Sequence, residues 1–577
     1  MRSIQVYQRV TAMGVAIMLV ASACQAQTSP APSAPGGVPG SAAVTPGAST
    51  PAASSVASAS AGIPQGGTLS IGWNGEIQWL DPALGYDVTS WPAERLVFEP
   101  LLAYDQGTAL VPLLADGMPT ASADGKTYTV KIHSGVNFVN EDGSVLRPMT
   151  AGDVAASINR VLNPNLKPNP SPVGGGFFGN IVGAADVLAG KAQTASGIKV
   201  IDPATVEFDL VTADATFLNV LATPFASVVP KELAGTDATA FSAKPVGTGP
   251  YLFKSYAKGQ GAVFVKNPSY WQAGQPYLDQ IEYRTGQDDN TMLQQIEAGT
   301  LDLMGDPLPP AQFTDVTTNH ASQVVHHTIV NVDYVFMDTQ QANSGPFSNL
   351  KVRQAVNYAI DKAAILQISH GAGVPANCIY PPDLPGYDAT CNPYPHDVAK
   401  AKQLMKDAGF EAGFDTKFYT DTTDPDPQIG ASIQQDLAAI GIRTQIVSQE
   451  FATFLDTIET PHKAPIGWVG WFQDYPDPSD FIDPILSCAT AVNGGANAAL
   501  YCNKDVDALA ATAKGETDPT KRLADYQQIQ TTIMADAPWA PFRHQEWYTL
   551  VGKGVGGFQI HPVWQYDVRN LWKKPAS

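Results

Sequence analysis

The chain has 577 residues, 44% of them hydrophobic, and a net charge of −20 from 34 Lys and Arg against 54 Asp and Glu. At ~100–200 residues per domain this length predicts two to four domains, and the hydrophobic content excludes a wholly disordered chain. The acidic balance and the lack of a basic stripe exclude nucleic acid and anionic membrane surfaces as expected partners.

The first 23 residues have the features of a signal peptide. Two arginines precede the apolar stretch Val10–Ala21, which is shorter than the ~20 residues that cross a bilayer. The stretch leads into Ala-Ser-Ala before Cys24, which resembles a bacterial lipobox. The alternative is ordinary secretion with cleavage after Ala23. We predict lipidation of Cys24 and an extracytoplasmic protein anchored to the cell membrane, in the periplasm or on the outer surface.

Residues 24–63 are predicted to form a disordered tether. From Gln25 to Gly62 the segment contains no charged or aromatic residue and consists mostly of Ala, Ser, Pro, Gly and Thr. Such a segment buries too little apolar surface to offset its chain entropy. Its r.m.s. reach is roughly 35 Å.

Four further cysteines follow, and four cysteines allow three pairings. The separations of 13 and 14 residues favour two local loops, Cys378 with Cys391 and Cys488 with Cys502. An oxidising compartment fits such pairs. A metal site would need CxxC-like spacing with a nearby histidine, which is absent, so no metal is expected.

The first half of the body is predicted to alternate strands and helices. A capping box at Thr150–Asp153 opens one helix, and the Pro-, Gly- and Asn-rich run 163–179 predicts a loop. In chain order we expect a strand at 68–72, a helix at 92–97, a strand at 127–132, a helix at 150–162, two strands within 200–210, and strands at 251–256 and 262–266.

The second half is more helical. Apolar residues at helical spacing predict one helix from Val352 to Ala363, and Asp397 and Asp518 are placed to cap two others. A further helix at 429–440 precedes a strand at 442–447, which is typical of an α/β domain. The acidic run 421–426 lacks the EF-hand pattern and predicts a solvated loop.

Motifs of enzymes and cofactor sites are absent from the sequence. It contains no GxSxG, HExxH or Walker A pattern. His326 and His327 are adjacent on a predicted strand, so their side chains should point to opposite faces and form a structural pair. We therefore expect no enzyme and no cofactor. A secreted hydrolase is the least favoured alternative, because no nucleophile–base set is found.

One segment combines aromatic and acidic residues, the Pro-broken run Trp468–Phe481. Asp474 stands between Trp471 and Tyr475, and a carboxylate beside aromatic rings suits an ammonium ligand. Two other interpretations remain open: a proline turn with buried aromatic rings, and a Ca²⁺ site built from Asp474, Asp477, Asp480 and Asp483.

Six segments, in order, resemble the extracellular family 5 of ABC-importer solute-binding proteins, the oligopeptide- and dipeptide-binding type. The similarity runs from about Pro64 to Trp572, with departures at His133-Ser134 and at Asn140–Pro148. The segments are LDPALGYD at Leu80, FEPLLAYD at Phe98, PVGTGPYLFKSYAKGQGAVFVKNPSYW at Pro245, NLKVRQAVNYAIDK at Asn349, AKQLMKDAGF at Ala401 and PWAPF at Pro538.

This resemblance implies an α/β, two-lobed periplasmic-binding-protein-like fold (type II, cluster C) with a small inserted domain. We expect the first lobe at 64–106, 239–327 and 545–577, and the second lobe at 328–544. The insertion is expected at 107–238.

The resemblance also implies a binding site. In peptide-binding relatives an Asp pairs with the peptide's α-ammonium, and this Asp aligns with Asp474, with Trp471 and Tyr475 beside it. From the first lobe and the insertion, Tyr86, Trp91 and Phe177 are expected to cover the ligand. The pair Cys488–Cys502 resembles one that flanks this loop in dipeptide-binding relatives.

The implied function is capture of di- to oligopeptides by a monomer that delivers them to an ABC permease with its cytoplasmic ATPase. The same fold binding another solute, such as an oligosaccharide, a nickel chelate or another metabolite, is the main alternative.

Overall fold

Three β-sheets organise the chain, described here from a computed structural model over residues 62–340, 345–423, 425–460 and 462–574. From Pro64 onward these residues belong to one compact unit. The predicted signal peptide, Cys24 and nearly all of the tether lie outside the described residues. In the described ranges, no helix has both the length and the apolar character needed to span a membrane.

The first sheet has five strands and is mixed. Thr68–Gly72 pairs in parallel with a strand on each side, and Leu69 and Ile71 are fully buried. Beyond Gln280–Arg284, the two strands on that side of the sheet pair antiparallel. The order across the sheet is Tyr251–Ala257, Gly261–Lys266, Gln280–Arg284, Thr68–Gly72 and Leu303–Met304.

The second sheet has six strands and forms the largest core. Its central strand Asn331–Met337 is buried along its whole length, as expected where both faces of a sheet are covered. The order is Val374–Pro375, Trp539–His544, Asn331–Met337, Ile466–Phe472, Phe414–Asp421 and Ile442–Gln449.

The third sheet is antiparallel and smaller, in the order Thr120–Ala121, Thr127–Lys131, Thr205–Asp209 and Ile198–Asp202. Alternating burial along its strands shows that only one face is packed. Helix Ala151–Val161 covers that face, and the predicted capping box between Thr150 and Asp153 is confirmed.

Two paired strands join the regions of the first and second sheets. Val324–Thr328 leads into the second sheet, Glu546–Leu550 leads out of it, and the two pair antiparallel. The side-chain oxygen of Asn331 accepts a hydrogen bond from the backbone N–H of Gln545 at 2.7 Å. The connection therefore has two adjacent crossovers.

The remaining elements surround these sheets. The other strand pairs are Leu102–Tyr104 with Leu110–Pro112, Asn137–Val139 with Val145–Pro148, Val555–Gly556 with Trp572–Lys573, and Ile560–His561 with Gln565–Tyr566. The other α-helices are Ser90–Val97, Gly174–Phe178, Ala184–Leu188, Phe217–Val220, Ala238–Ala243, Asp289–Glu297, Phe313–Asn319, Leu350–Ala359, Lys362–Ile368, Val398–Asp407, Asp426–Ala439, Phe451–Glu459, Lys504–Gly515 and Pro519–Asp536. Short 3₁₀ helices lie at Pro224–Ala226, Pro310–Gln312, Ala321–Gln323, Gly345–Ser348 and Pro478–Phe481.

Three local predictions are wrong. The expected loop 163–179 contains the helix Gly174–Phe178, whose glycines allow a short turn. The single helix predicted around 352–363 is two helices, because Ile360 is extended and Asp361 caps the second one. The solvated loop predicted at 421–426 is wrong at its two ends: Asp421 ends a strand and is only 7% exposed, and Asp426 opens a helix. Thr422 and Thr423 between them lie in an exposed bend, as predicted.

The cysteine and histidine predictions are confirmed. Both local disulfides form, with Cα–Cα distances of 6.1 Å for Cys378–Cys391 and 4.3 Å for Cys488–Cys502. His326 and His327 contact different carboxylates, those of Glu546 and Asp383. The lobe and insertion boundaries given above stay a prediction.

Candidate functional site

The loop that follows strand Ile466–Phe472 forms one wall of the site. Pro476 and Pro478 cannot donate to a β-ladder, so the strand does not continue. Asp477 then caps a short 3₁₀ helix by accepting a hydrogen bond from the backbone N–H of Ser479. The loop therefore has a fixed shape and holds Asp474 toward the opposite wall.

Asp474 is contacted from across the molecule. The phenol of Tyr86 donates a hydrogen bond to Oδ1 of Asp474 at 2.6 Å. Removal from bulk water raises the pKa of Asp474 to about 6, and the Tyr86 hydrogen bond limits the rise. Among the described residues, no lysine, arginine or histidine pairs with this carboxylate.

A second carboxylate lies beside it. Asp480 is 2% exposed, and its Oδ2 accepts hydrogen bonds from the backbone N–H of Asp474 at 2.9 Å and from Nε1 of Trp471 at 3.2 Å. Burial and the negative charge of Asp474 raise the pKa of Asp480 well above its usual range. Ionisation of one acid of this adjacent pair therefore disfavours ionisation of the other.

Aromatic rings form the facing wall. Phe225 makes edge-to-face contacts with Tyr86 at 5.3 Å, with Trp91 at 5.7 Å and with Phe177 at 5.1 Å between ring centroids. Phe177 in turn meets Tyr475 of the opposite wall at 6.2 Å. Phe225 belongs to the hydrophobic core of the third sheet, and Tyr86 and Phe177 pack against that core. The rings thus link this core to the loop of the second sheet.

These two walls enclose a cavity of about 640 Å³. Tyr86, Phe177, Trp471, Asp474 and Tyr475 all line it. Trp91 is not part of the lining. It packs behind Tyr86 and donates a hydrogen bond from Nε1 to the backbone oxygen of Gly85 at 3.0 Å, which supports the segment that presents Tyr86. The structure therefore brings all six sequence-predicted ligand-contact residues into one region.

One basic residue, Lys514, lines another part of the cavity wall. Nζ of Lys514 lies 2.9 Å from Oδ2 of Asp483 and 3.8 Å from Oδ2 of Asp214. Although burial disfavours its charge, these two carboxylates raise the pKa of Lys514. Lys514 is thus already neutralised by protein, and the charged lining of the cavity is acidic overall.

A side pocket of about 70 Å³ adjoins the cavity at Asp474. Tyr86, Trp471, Asp474 and Ala496 line both spaces. The other lining residues are mostly apolar, with one acid: Tyr334, Phe451, Leu455, Ile458, Glu459, Val469, Gly470, Phe472 and Ile485.

Comparison with known proteins identifies the family. The family described as "Bacterial extracellular solute-binding proteins, family 5 Middle" matches residues 109–493. The chain belongs to this family of solute-binding proteins. It is 32% identical to the heme-binding protein A of Haemophilus influenzae over 84% of this chain and 88% of that protein. It is also 32% identical to the di/tripeptide-binding protein 4 of Pseudomonas aeruginosa, over 85% of this chain and 91% of that protein.

Solved structures of family 5 proteins share the fold. One is the ABC transporter-associated periplasmic binding protein DppA of Helicobacter pylori in complex with the peptide STSA. It has 26% identity and a TM-score of 0.74, covering 89% of this chain and 99% of that one. Another is a dipeptide-binding protein of Pseudoalteromonas sp. SM9913 in complex with Met-Leu, with 27% identity and a TM-score of 0.71, covering 88% and 100%. The predicted α/β periplasmic-binding-protein fold is confirmed.

The family places this chain among extracytoplasmic solute-binding proteins of ABC transporters, and its relatives are binding proteins, not enzymes. The expectation of a non-enzyme is thus supported at the level of the family. Within the described ranges, no group of three or more His, Cys, Asp or Glu side chains is arranged to hold a metal ion.

Sequence reasoning missed several residues of the family 5 site. Phe225, Asp214 and Lys514 lie far from the aromatic–acidic segment in the sequence. Glu459 precedes that segment by nine residues, but like the other three it belongs to no recognisable motif. Asp480 was considered only as a Ca²⁺ ligand, whereas its partners are the Trp471 ring and the backbone of Asp474. Phe225 follows a proline in a buried run. This pattern predicts that the side chain is packed, but it does not predict which part of the molecule it contacts.

Proposed function

We propose that this family 5 protein captures short peptides with a free N-terminus and delivers them to an ABC permease. Asp474 binds the α-ammonium of the peptide, and the rings of Tyr86, Phe177, Trp471 and Tyr475 enclose the residues that follow. Lipid on Cys24 and the tether would keep the loaded protein near the permease.

The observation that carries this proposal is the carboxylate of Asp474. It lies in a cavity, is removed from bulk water, and among described residues has a phenol but no cation as its partner. A buried charge without a counter-charge is costly, and a ligand ammonium supplies the missing one. Peptide, unlike most sugars, carries that group.

Closure follows from the positions of the two walls. On the predicted boundaries, Tyr86 belongs to the first lobe and Phe177 to the insertion, and they contact Asp474 and Tyr475 of the second lobe. A ligand that touches both walls stabilises the closed form over the open one by its differential affinity. The ammonium would take the position of the Tyr86 phenol on Asp474 or use the second carboxylate oxygen.

The names of several relatives support a peptide as the ligand. Di/tripeptide-binding protein 4 and the two peptide-bound structures are named for peptides, whereas other relatives are named for heme or glutathione. Heme carries two carboxylates and no ammonium, and glutathione carries two carboxylates beside its one α-ammonium. Asp474, Asp483 and Asp214 around this cavity oppose such anions, and Lys514 is already paired.

Isothermal titration of the full-length protein with Ala-Ala and with N-acetyl-Ala-Ala tests the proposal. We expect heat of binding only with the free amine, and its loss in Asp474→Asn. The matched control is Asp456→Asn, an exposed acid on helix Phe451–Glu459, which should bind as wild type. Equal binding of the acetylated peptide, or normal binding by Asp474→Asn, would refute the role of Asp474.

A thermal-shift screen against sugars, nickel chelates, heme and glutathione covers the other solutes. A ligand at ~100 times its dissociation constant adds about 2.7 kcal/mol of stability, which is readily detected. Stabilisation by one of these solutes and by no peptide would replace the substrate assignment and leave the family unchanged.

A further inference from the structure

The side pocket beside Asp474 has the shape of a side-chain site. It shares four lining residues with the main cavity, among them Asp474, so it opens where the first residue of a bound peptide would lie. A peptide whose α-ammonium is on Asp474 would direct its first side chain here. This inference rests on the proposed peptide-binding function.

The walls of the pocket are apolar along their length. Helix Phe451–Glu459 contributes Phe451, Leu455 and Ile458, which its periodicity places on one face. Strand Ile466–Phe472 contributes the opposite wall through Val469 and its neighbours up to Phe472. Such walls suit the methylene groups of a long side chain.

Besides Asp474, which it shares with the main cavity, the pocket is lined by one further acid, Glu459, the last residue of its helix. The C-terminal end of a helix carries partial negative charge, which adds to that of the carboxylate. Removal from water raises the pKa of Glu459, as expected of an acid in apolar surroundings. Among described residues, no lysine or arginine forms an ion pair with Glu459.

The size of the pocket fits a side chain of moderate length. One water needs roughly 10–15 Å³ of such space, so about 70 Å³ holds about five non-hydrogen atoms. A lysine side chain has that many beyond its Cα, four of them carbon and the last a charged nitrogen.

From the apolar walls, the acid and the volume together, we propose that this pocket selects peptides whose first residue is lysine or a similar long cationic residue. The methylene groups would pack between helix Phe451–Glu459 and strand Ile466–Phe472, and the terminal ammonium would meet Glu459. Asp474 and Glu459 would then bind the two ammonium groups of one residue.

Paired titrations of the full-length protein test this selectivity. The ligands are Lys-Ala and norleucine-Ala, which share the α-ammonium and differ by a charged end and one atom of length. Wild type should bind Lys-Ala at least about tenfold more tightly, because a hydrogen bond to a charged group is at stake. Glu459→Gln should bind both alike, with the norleucine peptide unchanged as proof of folding. Asp456→Asn, one turn earlier on the same helix, should keep the preference.

The possible failures are distinguishable. If norleucine-Ala binds and wild type shows no preference, or the preference survives Glu459→Gln, the lysine pocket is refuted and peptide binding stands. If neither peptide binds to wild type, the proposed function and this inference are both overturned.

Discussion

Asp474 and Asp477 lie three residues apart in one loop, but their carboxylates have different partners. Asp477 is 6% exposed, and its two oxygens receive hydrogen bonds from Arg522, both at 2.7 Å. Asp474 lines the cavity and receives one from the phenol of Tyr86. The first charge is neutralised within the protein, whereas the second has no cationic partner among the described residues. Acidic residues in a loop therefore differ in role according to whether a cation of the same chain reaches them.

The largest effect should follow from breaking the neutralised pair. Arg522→Ala leaves Asp477 buried without a counter-charge, which costs about 3–5 kcal/mol of unfolding free energy. Chemical denaturation monitored by circular dichroism measures this loss. A loss below about 1 kcal/mol would show that the pair is not the anchor of the loop.

The second largest effect concerns Asp474. Its replacement should weaken ligand binding, whereas replacement of Arg522 should weaken folding. Asp474→Asn should weaken binding of a free-amine peptide at least about 30-fold, since one partner of a desolvated charge pair is removed.

The same variant should not lose stability at neutral pH. The pKa of Asp474 is raised in the folded state, so its ionisation costs stability as pH rises from about 4 to about 6. At pH 7, Asp474→Asn should therefore equal wild type or exceed it by up to about 3 kcal/mol, and this gain should vanish near pH 4. Destabilisation at pH 7 would assign Asp474 a structural role like that of Asp477.

Peptide affinity should depend on pH through the same group. Near pH 7 the carboxylate is ionised and most of the peptide's α-ammonium, whose ordinary pKa is about 7.7–8.0, keeps its proton, so affinity should be greatest there and fall again toward higher pH. As the pH falls through about 6 the acid binds a proton, and affinity should drop about tenfold per unit. Titration calorimetry from pH 4.5 to 8 measures the profile, and a flat profile would contradict the pairing of Asp474 with the ligand.

The smallest effect concerns Tyr86. Its phenol hydrogen bond favours the ionised form of Asp474, so Tyr86→Phe should raise the pKa of that acid. The midpoint of the pH profile should move upward by about one unit or less, with nearly unchanged affinity at pH 8. A downward shift would show that the phenol does not stabilise the carboxylate.

Much of the fold could be predicted because its signals are local. The strand Thr68–Gly72, the capping box at Thr150 and the cap at Asp397 each depend on residues within a few positions. The predictions failed where contacts between residues distant in the sequence determine the burial of a residue. Asp421 reads as part of an exposed acidic run, yet packing of its strand against the rest of the second lobe buries it.

The candidate site could be predicted in part for the same reason. Asp474, Trp471 and Tyr475 are adjacent in the sequence, and resemblance to the family added the residues of the facing wall. Contacts between residues that are distant in the sequence leave no pattern in the sequence that predicts them. The sequence does not reveal that Arg522 reaches Asp477, that Lys514 lies between two acids, or that Glu459 lines the pocket beside Asp474.

The most direct test of the account is a crystal structure of the protein with a bound dipeptide such as Lys-Ala. We expect the α-ammonium nitrogen at roughly 2.7–2.9 Å from an oxygen of Asp474, in the cavity between Phe177 and Trp471. A dipeptide bound with its ammonium away from Asp474, or with its carboxylate there, would contradict the central claim.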